Sequence, residues 1–367
     1  MKSLKKILIN STVVSISLFV TYLLATTIIY FFVDIYSGGW RHLDPVGKYL
    51  VNSKGTHKHY FNKKVYHYDI DENGFRGSNY EKNSNKKNIF VIGDSFSFGY
   101  LIDEENTFVS ILNKKYKDSK YNFINAAIAG SGTSQWMAMI EDQQDKFKDS
   151  YLLIMVNYTS FSRGFNHWLY KYDCKTKQVY RNLDYENKNF QYLNQIDHFV
   201  NDFANKFDIN NFFSGPIYFL KHAYFKIKEL NILEKNKPEI YQNTPYHIKN
   251  INIDRLNCFV KLTVLKIIGL GKKINSEVIF VDFGFRHQSP IITNPKKYPD
   301  SVDRQALLIF DKMVFGENIN YIDLNEITSK ALQEGVSLEI KNDGHPNEIA
   351  NRLIAEELNK KLKNFFK

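Results

Sequence analysis

The chain has 367 residues, room for one large domain or two ordinary ones, and its 43% hydrophobic and 24% charged content is that of a globular protein. The formal charge is +10. The basic residues are scattered, apart from small clusters at Lys2, Lys5 and Lys6 and at Lys360, Lys361 and Lys363, and no RNA- or DNA-binding motif accompanies them; this argues against nucleic-acid recognition and for general attraction to anionic surfaces. Two cysteines, Cys174 and Cys258, make neither a disulfide framework nor a metal spacing, and they read as two unrelated thiols rather than one bridge.

Residues 7–33 contain no Asp, Glu, Lys or Arg. A helix of that length crosses ~30 Å of hydrocarbon, which needs roughly 20 residues. Tyr30, Phe31, Phe32, Tyr36 and Trp40 fit an interfacial aromatic belt. Lys2, Lys5 and Lys6 precede the stretch and Asp34 follows it, so the positive-inside bias predicts residues 1–6 as a cytoplasmic tail and the bulk of the chain outside. The apolar run exceeds the usual signal-peptide core and lacks a clear cleavage site, which favours an uncleaved single-pass anchor with an extracytoplasmic body.

Residues 34–87 are aromatic, polar and turn-rich. The stretch 66–76 alternates and then turns at Asn73 and Gly74, a hairpin signal, and 81–87 is a polar connector. The main domain is expected over 88–367. Ile89 to Ile92 read as a strand buried on both faces, and it breaks at Gly93, Asp94 and Ser95. Beyond it the pattern predicts a helix near 104–115, a strand at 121–127, a small-residue loop at 128–134, a helix at 135–147 and a strand at 151–158. After an interruption come a helix near 253–269, a strand at 277–283, a helix near 302–314, a strand at 320–324 and a helix from Pro346 to about Phe365. This alternation predicts an α/β fold, a flavodoxin-like three-layer sandwich with a parallel sheet. The interruption, about 160–252, is too long for a plain loop. It contains Trp168 and helix-like runs at 192–206 and 217–230, and it reads as an inserted, mainly helical cap whose aromatics chiefly pack its own core.

Three separated pieces are expected to meet at the carboxyl edge of the sheet, where open α/β folds bind ligands. Ser95 supplies a hydroxyl that becomes a nucleophile once a base takes its proton. His345 supplies an imidazole fit to be that base, at the mouth of a last helix for which Pro346 suits the first turn. Asp343, two residues earlier across Gly344, is placed to hold the other ring nitrogen. Gly130 and the Ser95 amide are candidate oxyanion donors, with Asn157 or Ser160 as a third. Taken singly, these segments read equally as turns and helix caps.

Gly93–Asp94–Ser95 after a buried strand, the block from Asn125 to Gly130 after the next, and Asp343–Gly344–His345–Pro346 near the end together resemble the SGNH/GDSL hydrolase family. The resemblance covers about residue 88 to the terminus apart from the insertion. Residues 73–76 also resemble membrane-anchored bacterial members. It implies the flavodoxin-like sandwich, with Ser95 as nucleophile, His345 as base, Gly130 as the second-block glycine and no cofactor. The acid lies two rather than three residues before the histidine, where Asn342 holds the usual position; this shorter form resembles the polysaccharide O-acetyltransferase branch. The third-block Gly-x-Asn-Asp pattern is absent, and residues 156–163 stand there instead. Asp94, Ser160 and Arg163 are candidate substrate contacts.

The leading expectation is an extracytoplasmic serine esterase or O-acyltransferase acting on envelope polysaccharide. Its partners would be an acylated glycan or acyl donor, the membrane and other envelope polysaccharide proteins. A catalytically inactive glycan-binding or assembly protein of the same fold, and a lipid or thioester hydrolase, are the alternatives. His42, His57, His59 and His67 lack ligand-like spacing, so no metal site is expected.

Overall fold

The computed structural model describes residues 2–32, 53–58, 64–77, 80, 85–165, 169–183, 252–286, 301–341 and 343–366. The predicted runs at 192–206 and 217–230, Trp168, and the belt residues Tyr36 and Trp40 lie outside the described residues.

Five parallel strands form the sheet: β3 (Lys87–Ile92), β4 (Tyr121–Asn125), β5 (Tyr151–Val156), β8 (Glu277–Asp282) and β9 (Tyr321–Asp323). Their spatial order is β4-β3-β5-β8-β9. Numbered along the chain within the sheet this is 2-1-3-4-5, the flavodoxin-like arrangement, whose crevice opens beside the first and third strands of the sheet. Here those strands are β3 and β5, paired with Val91 opposite Leu153 and Ile92 opposite Ile154.

Both faces of the sheet are covered, which is why its strands read as continuous apolar runs. On one face Phe90, Ile92, Leu152 and Ile154 pack with Trp136, Phe259 and Phe310. These come from helices Thr133–Asp142, Ile253–Lys273 and Val302–Gly316. On the other face Ile89, Val91, Leu153 and Met155 pack with Phe108, Leu112, Ile354 and Leu358, from helices Phe108–Lys115 and Glu348–Leu362.

Several expectations shift in detail. The helix predicted at 135–147 is two pieces, Thr133–Asp142 and Gln144–Phe147, broken at Gln143. The helix near 104–115 begins as a separate 3-10 turn, Glu104–Asn106. A helix at Asn325–Gln333 had no counterpart in the pattern; only Thr328 and Ala331 of it are buried, too few to mark a face. Pro346 does not open the last helix. It lies in an antiparallel bridge opposite Glu339; the helix starts at Glu348, capped by the Asn347 side chain, which accepts from the Ala350 N–H.

The segment ahead of the sheet is part of the same body. β1 (Ser53–Lys58) pairs antiparallel with β2 (Val65–Ile70), whose alternate residues Tyr66, Tyr68 and Ile70 are buried. The turn at Asn73 and Gly74 forms, with the Asp71 carboxylate accepting from the Asn73 and Phe75 amides. The returning strand is a single residue: Arg76 bridges back to Ile70 and outward to Asn125 of β4.

Within the insertion the described part is not mainly helical. After helix Ser160–Phe165 it is a two-stranded hairpin, β6 (Tyr170–Asp173) with β7 (Gln178–Arg181). The cysteines are not independent: Cys174 and Cys258 form a disulfide across 84 residues. The hairpin lies back on helix Ile253–Lys273, with Tyr172 edge-on to Phe259 at 4.7 Å. That contact carries the hairpin turn over Cys258, a proximity with no local sequence signal.

The chain begins with a continuous helix, Lys2–Phe32. Side chains are described only for its residues 10–25, fewer than a crossing requires. Among the described residues no helix is therefore long and apolar enough to cross a membrane. Within that stretch Val13, Val14, Ile16, Leu18 and Phe19 are all more than half exposed.

Candidate active site

β3 ends at Ile92, and one helical turn, Ser95–Phe98, follows it. Asp94 caps the turn: its carboxylate accepts from the Phe96 N–H at 3.0 Å. Gly99, in the left-handed region, closes it. So short a helix has little macrodipole, and what it offers at Ser95 is the orientation of that residue's own N–H.

Ser95 meets His345 at this edge. The Ser95 Oγ to His345 Nε2 distance is 2.9 Å, between residues 250 apart in sequence. On the far side of the ring His345 Nδ1 bonds the Asp343 carboxylate, which also accepts from the His345 backbone N–H at 3.3 Å. With the Nδ1 proton directed to Asp343, Nε2 accepts the Ser95 O–H. Gly344, at φ 87°, makes the tight turn that lets residues two apart share a hydrogen bond. The imidazole packs between Phe96 and Tyr100, with centroids at 5.4 and 4.8 Å. Ser95, His345 and Asp343 are thus brought together as the sequence predicts.

The loop after β4 lies alongside this turn. The Ile128 N–H and the Ser131 hydroxyl both donate to Gly93 O, at 2.9 and 3.1 Å. Ser131 is held in turn by the Trp136 indole N–H, 2.8 Å away. Gly130, at φ 78°, therefore sits in a loop pinned at Gly93, two residues from Ser95. Neither the Ser95 nor the Gly130 N–H has a hydrogen-bond partner among the described residues, as donors reserved for a ligand require.

At the end of the third strand the two remaining candidates differ in what their donors are bonded to. Asn157 is buried at the end of β5, and its Oδ1 accepts from the Thr159 N–H, the Thr159 hydroxyl and the Ser160 hydroxyl. These bonds fix the amide so that Nδ2 donates to Asp94 Oδ2 at 2.6 Å, leaving one Nδ2 hydrogen over. Ser160 is fully buried; its hydroxyl accepts from the Asn157 N–H and spends its one hydrogen on Asn157 Oδ1. Asn157, not Ser160, retains a free donor.

Asp94, Ser160 and Arg163 are not arranged as substrate contacts. Asp94 is fully buried, and its Oδ2 accepts from both Asn157 and the Arg163 guanidinium, the latter at 2.9 Å. A buried carboxylate demands this pairing. Arg163, a candidate substrate contact in the sequence, instead ties helix Ser160–Phe165 after β5 to the turn that carries Ser95.

One positioning residue escaped prediction in that role. The buried guanidinium of Arg76 donates to Phe98 O at 2.6 Å, Gly99 O at 2.7 Å and Ile102 O at 2.7 Å, and pairs with Glu104 at 2.7 Å. It satisfies carbonyls at the carboxyl end of the turn that carries Ser95, orphan groups in any helix. Asn125 adds its Nδ2 to Phe98 O at 3.2 Å. The Asn73–Arg76 signature was the only sequence signal for this.

No family model matches the chain, and no curated protein matches it. Among solved structures it is similar to a member of the lipolytic protein G-D-S-L family from Veillonella parvula, at 15% identity and a TM-score of 0.40, over 76% of this chain and 98% of that one. It is similar to TesA at 14% identity and a TM-score of 0.41, over 76% and 100%. An acetyl xylan esterase, AlAXEase, matches at 13% identity and a TM-score of 0.39, over 75% and 99%. At these values the likenesses carry no argument about activity, and the chemistry is argued from the site itself.

Proposed function

We propose that this chain is a membrane-anchored, extracytoplasmic serine esterase or O-acyltransferase, acting on O-acyl groups of envelope polysaccharide. The observation that carries the reading is the 2.9 Å approach of Ser95 Oγ to His345 Nε2, with Asp343 on the other ring nitrogen. Ser95 attacks the acyl carbonyl while its proton passes to Nε2. The Ser95 and Gly130 N–H groups and the spare Nδ2 hydrogen of Asn157 receive the oxyanion. His345 returns the proton to the departing sugar oxygen, leaving an acyl-enzyme that water hydrolyses or a second sugar hydroxyl accepts.

The compartment is supported independently. The disulfide between Cys174 and Cys258 fits an oxidising, extracytoplasmic setting. The exposed apolar side chains of helix Lys2–Phe32 fit burial in lipid, and Lys2, Lys5 and Lys6 ahead of them fit a cytoplasmic amino end. Polysaccharide as substrate is proposed on that location and on the resemblance of the short Asp-x-His form to the polysaccharide O-acetyltransferase branch.

The test is covalent. A fluorophosphonate probe is expected to label the full chain in detergent at Ser95. The Ser95→Ala variant is expected to lose the label and roughly 10³-fold or more of the activity on p-nitrophenyl acetate. An unlabelled wild-type protein would leave a glycan-binding protein of the same fold, and full activity in the variant would remove Ser95 from the mechanism.

A further inference from the structure

Beside the Ser95–His345 pair stand two polar groups that the acyl-transfer chemistry does not use. Glu339 is half-buried, and its backbone is fixed on both sides of the histidine. Glu339 faces Pro346 in an antiparallel bridge, the Ile340 N–H donates to His345 O at 2.8 Å, and the Asn347 N–H donates to Leu338 O at 2.9 Å. Yet its carboxylate has no hydrogen bond or ion pair with any described residue. Burial raises its pKa above the usual carboxylate range, and His345, within electrostatic range, pulls the other way.

Tyr158 is the second group. It follows Asn157 at the end of β5, and its ring stands edge-on to Phe96 at 6.2 Å, the same ring that flanks the His345 imidazole. Its hydroxyl has no hydrogen-bond partner among the described residues. Burial pushes its pKa up to about 12, and the negative charges of Asp94, Asp303 and Glu339 act in the same direction against Arg163, so it remains a neutral donor and acceptor.

We infer that Glu339 and Tyr158 form a polyol-binding subsite that holds the sugar ring bearing or receiving the acyl group, and that the subsite selects a neutral glycan over an acidic one. A half-buried carboxylate with no hydrogen bond to a described residue takes two hydrogen bonds from neighbouring ring hydroxyls, and the Tyr158 phenol, within electrostatic range of it, takes a third. The same charge repels a uronate, in a chain whose overall charge of +10 would otherwise attract one. Glu339 belongs to binding and not to the proton relay, since Asp343 already occupies His345 Nδ1.

This inference rests on the proposed site, and binding tests it apart from turnover. In the Ser95→Ala background, full-length protein in detergent is titrated with O-acetylated xylotetraose as a neutral probe and an O-acetylated tetragalacturonate as an acidic one. Adding Glu339→Ala or Tyr158→Phe is expected to weaken the neutral probe about tenfold or more, and Glu339→Gln to narrow the gap between the two probes. Neutral-probe affinity unchanged within about twofold in both variants would overturn it. So would Glu339→Ala, made in the protein that keeps Ser95, moving only the acid limb of the pH–rate profile, because the carboxylate would then be acting through His345. Loss of affinity in a protein whose Ser95 resists fluorophosphonate would uphold the subsite while removing the esterase reading.

Discussion

At the scale of single residues, the site depends on which carboxylates are paired and with what. Asp343 orients a ring whose other nitrogen faces Ser95. Asp343→Asn is expected to preserve the fold and to cost roughly 10³–10⁴ in kcat on p-nitrophenyl acetate, because an amide does not hold the required tautomer. Asp303, in the first turn of helix Val302–Gly316, is a different case. It is buried, its oxygens have no partner within bonding distance, and burial raises its pKa from 3.8 to about 7 against the pull of the Ser162 hydroxyl and Arg163. The folded state therefore binds this proton more tightly than the unfolded state. Its contribution to stability is fully present below about pH 4 and falls as pH rises to about 7, by on the order of 4 kcal/mol. Urea unfolding of Asp303→Asn beside wild type is expected to show little difference near pH 4 and a variant more stable by a few kcal/mol at pH 8. Equal responses at both pH values would mean that Asp303 ionises in contact with water. Ser95, His345 and Asp343 were legible because each sits in a short local pattern. The duties of Arg163, Asp94 and Arg76 were not, because each is defined by a partner 22 to 69 residues away.

At the scale of elements, the sequence was informative where burial is two-sided and poor where it is not. Ile89–Ile92 and Leu152–Val156 are wholly buried and read correctly as strands. The hairpin 170–181 alternates exposure weakly, and its pairing with helix Ile253–Lys273 rests on a disulfide, the Tyr172–Phe259 ring contact and a 3.3 Å hydrogen bond between the Thr263 and Tyr172 hydroxyls. That link closes a long loop, and replacing Cys174 and Cys258 with serine is expected to cost about 2–4 kcal/mol. Thermal melts of the double variant, and of wild type with and without reductant, check this: if reductant lowers the wild-type midpoint no more than it lowers the variant's, the bridge contributes nothing to stability. The hairpin also docks through charge. Arg181 pairs with Glu141 and Asp142, both at 3.1 Å, and Lys266 pairs with Glu141 at 2.6 Å. The described part of the insertion is thereby fastened to the body of the α/β fold on the side of helix Thr133–Asp142.

At the scale of the whole molecule, the order β4-β3-β5-β8-β9 brings the ends of its first three chain segments to one edge, and the last helix returns His345 to it. That architecture was readable from the alternation of elements. The place of residues 64–77 was not, since a polar connector separates them from the sheet and the pattern showed only a hairpin ahead of it. The proposed anchor gives a prediction at this scale: the full chain is expected to stay in the membrane pellet through alkaline carbonate washing, and a version lacking residues 1–33 to leave it. Release of both would remove the anchor. The Arg76 cradle also bears on how shortened versions are judged. A fragment beginning at Lys87 discards the guanidinium that occupies three carbonyls behind the reacting hydroxyl. Silence from that fragment would report an unsupported turn rather than absent chemistry, so an assay of the soluble body has to start upstream of the β1–β2 ribbon.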